Sequence, residues 1–464
     1  MNDLSTAGIG EISAVTLSGQ LARHAATTRF DAIPRAALDA AKLFMLDTLA
    51  VAWVGSDAPG CREAHALVVD EGGRADSTAW VYGGLLPAAS AAFINGMSAS
   101  ALDYDSIGRG AAVHINIAVL PAALAIAQKQ HASGREFLTA LVIGSDLVYR
   151  LGVAAARPNR GFHYTATLGV FGAAAAAARL LGLDATATQH ALGIAFFQSA
   201  GTQQANIQPS LCKRMLSAFA ARGGVYAALL AQRGITAPSE VFEGKFGFYS
   251  LYQPGDPQRL VEELGRRFDG VNVSIKKYPS CGCNHTTIEA VLTLIRKYDL
   301  KPDDVLSVEV AVTPYIERIV GGAYDPSHDP QVAAQFNLRY TVACLLVRRK
   351  LGLAEIQPDA ARDPAIAAHI SKVSLKVDPE QTGNRGPVTV RMRTKSHGEI
   401  SCGVKDVRGG TDDPFTQAEI DEKFDECFRC GVRPLSAAQI AALTRRVSEI
   451  EMLPDMAAFF DGVC

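Results

Sequence analysis

The chain has 464 residues, of which 48% are hydrophobic and 20% charged, and its formal net charge is -2. That length exceeds what one hydrophobic core normally serves, so two domains are expected. The near-neutral balance leaves no basic footprint for nucleic acid and no polybasic patch for a membrane surface, and no apolar run reaches spanning length. The longest such run, 170–183, is Ala/Gly-rich and is interrupted by Arg179.

The amino terminus carries an acid, Asp3, where a signal peptide would carry bases, and reads as mature and uncleaved. Helices are expected over 15–25 and 34–53. In the second, Pro34 occupies a first turn, Ala37, Ala41, Phe44, Met45 and Leu49 share a face, and Gly55 supplies a stop. Further helices are expected over 61–71 and 88–99, separated by an extended stretch over 75–82 and a Gly83-Gly84 turn. A loop containing Gly108 and Gly110 then leads through His114 into an apolar helix, 119–128. Helices follow over 137–151, 169–183, 185–200 and 217–233, so the chain is almost wholly helical to about residue 265.

The pattern then changes. Strands are expected over 271–277, 305–312, 373–377, 387–394 and 399–404, with helices over 281–298 and 335–349. Helical character returns over 417–428 and 437–450. The fold class implied is mainly α: a large discontinuous helical domain, 1–268 and 405–464, with a smaller α+β domain, 269–404, built on an antiparallel sheet. Nine cysteines, an odd number dispersed through a long chain, point to reduced thiols and a cytoplasmic location.

Four groupings carry candidate chemistry. Asp103-Tyr104-Asp105 precedes His114 across a glycine-containing loop. Gly161-Phe162-His163 stands before a helix. Lys213-Arg214 enters a small-residue helix, where a Lys either snorkels to solvent or meets an anion. Lys276-Lys277-Tyr278-Pro279 leads to Cys281, Cys283 and His285. Three of these put a His or Lys beside a Gly or Pro turn at a helix entry, where free N–H groups favour anions. Singly, each has a bland alternative as a loop, cap or solvated residue. The Cys281-x-Cys283-x-His285 run lacks the spacing of the usual zinc modules, and Cys427 and Cys430 fit helix packing, so no metal is assigned. There is no P-loop, no Gly-x-Gly-x-x-Gly after a strand and no Gly-x-Ser-x-Gly.

Taken in order, these stretches resemble the MmgE/PrpD family. The matching residues include Leu46-Asp47-Thr48, Asp103-Tyr104-Asp105 with His114, Gly161-Phe162-His163 and Lys213-Arg214. Phe242-Glu243-Gly244, Lys276, Tyr278-Pro279, Cys281, His285 and the Phe336-x-x-x-Tyr340 helix complete the set. The resemblance implies a helical domain with an α+β lid, an active site between them, no cofactor, and a homodimer. It places Asp103, His114, His163, Lys213 and Tyr340 as catalytic residues, with Lys276, Arg214, Cys281 and His285 binding a small polycarboxylate. It implies proton abstraction next to a carboxylate, first as a 2-methylcitrate dehydratase-like hydro-lyase, with an iminodisuccinate-type epimerase as alternative. Three departures stand out: Asp105-Ser106-Ile107 replaces Asp-Asp-Thr, Ile115 replaces the Pro after His114, and Cys281 stands where the decarboxylase branch has His. The Cys281 departure ranks cis-aconitate-type decarboxylation lower, and the other two would suit an inactive polycarboxylate-binding or assembly subunit.

Overall fold

The computed structural model describes residues 16–156 and 159–463, and the reading of the amino terminus lies outside them. The protein is mainly α, with a smaller α+β region. Helix starts follow local chemistry. Thr16 and Asp184 accept the N–H groups of Gly19 and Ala187, and Ser133 with Glu136 closes a capping box at Gly134–Ala154.

At the centre, Asn116–Lys129, Tyr164–Leu180 and Met215–Gln232 pack with their backbones close together. A Cβ at Gly224 would lie 2.4 Å from the Ala173 Cβ and 2.6 Å from the Ala174 nitrogen. A Cβ at Gly172 would lie 2.5 Å from the Gly144 carbonyl oxygen. The Ala and Gly content of these segments is thus a packing requirement, since larger residues would force the helices apart.

One helix does reach spanning length, contrary to the expectation from uninterrupted runs. Gly134–Ala154 has 21 residues, and an 18-residue stretch of it has a mean hydropathy of 1.5 and is 89% buried inside the protein. It is a core helix, tied down by an internal ion pair of 2.6 Å between Arg150 and Asp146. Arg150 also donates to the carbonyls of Glu262 and Arg267.

The lid sheet runs in the spatial order Val373–Val377, Val305–Val312, Val388–Thr394, Gly398–Val404. The last three strands pair antiparallel. The edge strand Val373–Val377 pairs parallel to Val305–Val312, so the sheet is mixed rather than antiparallel. The reason is the connection: the chain between these two strands crosses through several helices and re-enters in the same direction, which a parallel pair requires. The strand expected over 271–277 shrinks to Val273–Ser274, which pairs with Ile107–Gly108 instead of the sheet. The helix expected over 335–349 is broken at Asn337, whose side chain accepts the Tyr340 N–H and starts a new helix, Leu338–Arg348.

Two hydrophobic clusters result. One fills the helical body and takes in Ile420, Phe424, Phe428, Leu443 and Val447 from the carboxy-terminal helices. The other lies within the lid, between the helix Gly282–Tyr298, the sheet and Leu338–Arg348. The returning segment is also fixed by polar links: Trp53 Nε1 donates to the Arg433 carbonyl at 2.8 Å, and Lys42 Nζ to the Ser448 carbonyl at 2.6 Å.

Candidate active site

A cavity of about 620 Å³ opens between the helical body and the lid. The body contributes Asp103, His114, His163 and Lys213, and the lid contributes Cys281, Tyr315, Phe336 and Arg385.

The loop bearing Asp103 and Asp105 is held from behind by Asp47. Its carboxylate accepts the Ser106 N–H at 3.2 Å and the Lys423 ammonium at 2.6 Å, and Lys423 also donates to the Tyr104 carbonyl. Asp103 itself has φ +50°, a left-handed conformation that Asp tolerates better than most residues. The short ladder from Ile107–Gly108 to Val273–Ser274 then brings Lys276 to the same place.

Asp103 lies between two ammonium groups. One carboxylate oxygen pairs with Lys213 Nζ, and the other accepts from Lys276 Nζ at 2.6 Å; Lys276 also donates to the Asp103 carbonyl. All three side chains are buried. Burial alone would raise the Asp103 carboxyl, but Lys213 and Lys276 hold it well below the ordinary carboxylate range. Burial likewise opposes the charge on Lys276, and Asp103 outweighs it, so its pKa is raised. The anion that Lys213 meets is therefore a residue of the chain itself. The ammonium also lies 4.9 Å from the Phe336 ring centroid.

His114 and His163 face each other across the site, with ring centroids 6.5 Å apart and planes 20° from parallel. His114 Nδ1 is 2.7 Å from the Asp105 carboxylate, which fixes the ring and makes Nδ1 its protonated nitrogen. The His114 backbone N–H donates to Thr165 Oγ1 at 3.0 Å. His163 precedes the helix Tyr164–Leu180, and its backbone N–H donates to the Gly201 carbonyl. Its Nδ1 makes no hydrogen bond among the described residues. Enclosure in the protein, with Lys213 adding to it, lowers His163 to about 3, so this imidazole is neutral. The site thus holds one imidazole backed by a carboxylate and one whose Nδ1 is unpaired among the described residues.

Cys281 reaches the cavity at the start of the helix Gly282–Tyr298. Its thiol is lowered from its ordinary value, first by a hydrogen bond with Cys283 and then by Lys276, against burial. Four expected site residues do not line the cavity: Lys276, whose ammonium is taken up by Asp103, and the three that follow. Arg214 donates to the Pro59 carbonyl at 2.5 Å and to Gln331 at 3.2 Å, bracing the helix entry against the lid. His285 turns its Nε2 to the Ser280 carbonyl at 3.3 Å and packs edge-on to Tyr278. Tyr340 is fully buried in the lid core, donates to the Glu355 carbonyl at 2.5 Å and stacks on Tyr324. Among the described residues no group of three His, Cys, Asp or Glu side chains is arranged to hold a metal ion.

Tyr315 and Arg385 are among the cavity residues that escaped the sequence reading. Tyr315 opens the first turn after Pro314 and lies 3.4 Å from Gln203. Arg385 sits in the lid loop between Gly383 and Gly386. A Cβ at Gly386 would fall 2.3 Å from the Lys405 carbonyl oxygen, so the loop curls too tightly for a larger residue. A lone cation flanked by glycines and followed by proline was the available signal.

A helical body, an α+β lid and an imidazole pair with buried charges between them form the candidate active site. The chain belongs to the MmgE/PrpD family: the family's N-terminal domain model matches residues 19–260 and its C-terminal domain model matches 278–449. A cis-aconitate decarboxylase-like protein of Aspergillus oryzae is 29% identical over 84% of this chain and 86% of its own length. Cis-aconitate decarboxylase of Aspergillus terreus is 28% identical over 73% of each chain, and that of Homo sapiens is 26% identical over 89% and 87%. Family membership and these relatives make the chain an enzyme of lyase type.

Proposed function

We propose that the protein is a cofactor-independent lyase of a small di- or tricarboxylate. One of His114 and His163 takes a proton from the carbon next to a carboxylate, and the other serves the departing group. The observation that carries this reading is the imidazole pair: two rings 6.5 Å apart, facing one cavity, in different hydrogen-bonding environments. Both rings line the cavity, and the Asp105 carboxylate orients His114 through Nδ1, so the pair offers one group for proton removal and one for proton delivery. Lys213 and Lys276, held against Asp103, set two ammonium groups beside the site, which favours enolate-like charge in the transition state.

Loss of water needs both a base at carbon and an acid at the leaving hydroxyl. This demand suits the pair and favours a hydro-lyase, with a 2-methylcitrate-like hydroxy acid as the substrate type. Decarboxylation is the second reading, favoured by the names of the relatives. It needs only proton delivery to the carbon that releases carbon dioxide, and the thiol of Cys281 stands where the decarboxylase branch has an imidazole. Epimerisation would use the same pair with the donor on the opposite face.

NMR in D2O with a panel of hydroxy tricarboxylates, cis-aconitate and iminodisuccinate separates these outcomes. Loss of water to give an alkene, with the carbon-bound hydrogen released to solvent and none returned to that carbon, supports the hydro-lyase. Release of carbon dioxide alone transfers the assignment to decarboxylation, and exchange with inversion alone transfers it to epimerisation. No turnover across the panel would leave a polycarboxylate-binding subunit.

A further inference from the structure

Among the described residues, the cavity contains one buried cation without a carboxylate partner. Lys213 and Lys276 are both committed to Asp103. Arg385 is only 9% exposed and lines the cavity. Its guanidinium makes no ion pair among the described residues, and its Nη1 is buried without a hydrogen-bond partner. The neighbouring carboxylate, Asp406, is exposed and is bound instead by Arg109 at 3.1 Å. Lys405 also lines the cavity, but its side chain is exposed to solvent.

The loop is built to keep the guanidinium where it is. Thr286 Oγ1 donates to the Arg385 carbonyl at 2.6 Å. The aliphatic stem passes over Gly282, where a Cβ would lie 3.4 Å from Arg385 Cδ. A buried guanidinium left unpaired is costly, and the cost is tolerated where a ligand supplies the counter-charge. The planar fork of N–H donors matches a carboxylate in a bidentate pair, which an ammonium does not.

We propose that Arg385 recognises a substrate carboxylate remote from the carbon where the proton moves, and so restricts the enzyme to molecules with at least two carboxylates. The imidazoles belong to the body and the arginine to the lid, so one substrate bridges the two. This inference rests on the polycarboxylate reading above and adds the residue that enforces it.

Calorimetric titration with tricarballylate, succinate and butyrate tests it on wild type, Arg385→Gln, Arg385→Lys and His114→Gln. Wild type should bind tricarballylate and succinate well ahead of butyrate. Arg385→Gln should weaken tricarballylate by about ten- to hundredfold, the effect of losing a charge-assisted hydrogen-bonded pair, and leave butyrate unchanged. Arg385→Lys should recover part of that loss. The melting temperature of the unliganded Arg385→Gln variant should equal or exceed that of wild type, because an unpaired charge has been removed. His114→Gln should retain tricarballylate binding and lose turnover. If Arg385→Gln binds tricarballylate within twofold of wild type, the arginine does not recognise substrate. If wild type binds neither polycarboxylate, the polycarboxylate reading itself fails and this inference falls with it.

Discussion

Asp103 balances two buried ammonium groups with one carboxylate, so its removal affects more than its own contacts. Asp103→Asn leaves Lys213 and Lys276 out of water without a counter-charge, and should cost about 3–5 kcal/mol in chemical denaturation. Lys213→Met has the opposite sign from the one a lone buried lysine would give. An unpaired ammonium replaced by an apolar chain stabilises, but here the change deprives Asp103 of one partner, so stability should fall. A Lys213→Met midpoint at or above wild type would show that the pair contributes nothing. Acid sensitivity follows from the same groups. His163 and His285 are lowered from 6.5 to about 3, mainly by burial, so both are neutral in the folded state and charge on unfolding. Their contribution is complete above pH 6.5 and is lost as pH falls toward 3, at about 1.4 kcal/mol per pH unit for each histidine over that window. Asp103, whose folded pKa is depressed, adds a further loss below the ordinary carboxylate range. Denaturation midpoints at pH 7, 6, 5 and 4 should fall progressively, and His285→Gln should flatten the slope. The residues that reach the cavity were legible where a His, Lys, Asp or Cys stood at a turn before a helix. Arg385 was not, because its loop carries no periodicity, and Tyr340 was misplaced because helix spacing gives a face and not the neighbour it meets.

At the scale of elements, the alanine- and glycine-rich helices were readable because their composition is the packing rule. Gly224 gives the test. With its Cβ position 2.4 Å from Ala173 and 2.6 Å from backbone, Gly224→Ala should force the two central helices apart and cost about 1–3 kcal/mol, despite the better helix propensity of Ala. Gly322→Ala is the control, since nothing lies within 4 Å of its Cβ position, and its midpoint should stay near wild type. Equal midpoints for the two variants would mean that the close approach is not required. Strands were less legible than helices. The alternation over 271–277 is real, but Ile275 N–H bonds to the Gly409 carbonyl and Lys276 turns inward to Asp103, so the segment threads between body and lid. Alternation reports which residues are buried and says nothing of which strand lies beside them. For the same reason, the parallel edge pairing of Val373–Val377 could not be read from its residues.

At the scale of the molecule, the site depends on segments far apart in sequence. Lys423, from a carboxy-terminal helix, secures Asp47 behind the Asp103 loop, and Arg109 joins the body to Asp406 and Asp412 beyond the lid strands. The family's C-terminal model runs to residue 449 and so spans both the lid and the returning helices. A homodimer is the remaining expectation at this scale, and one helix offers a face for it. Met215–Gln232 packs into the core on one side and presents Phe219, Tyr226 and Leu230 on the other, at 47%, 49% and 38% exposure. Spacings of seven and four residues align the three in one stripe, flanked by Arg222 against the Phe219 ring. The stripe is short enough that a two-fold partner could cover it with its own copy, which is the self-complementary contact of a symmetric dimer. We propose this face as the dimer contact. Light scattering at micromolar concentration should give a dimer mass for wild type and a monomer mass for Tyr226→Glu/Leu230→Glu, whose helical circular dichroism should be unchanged. A wild-type monomer would remove the dimer, and a dimeric double variant would place its contact on another face.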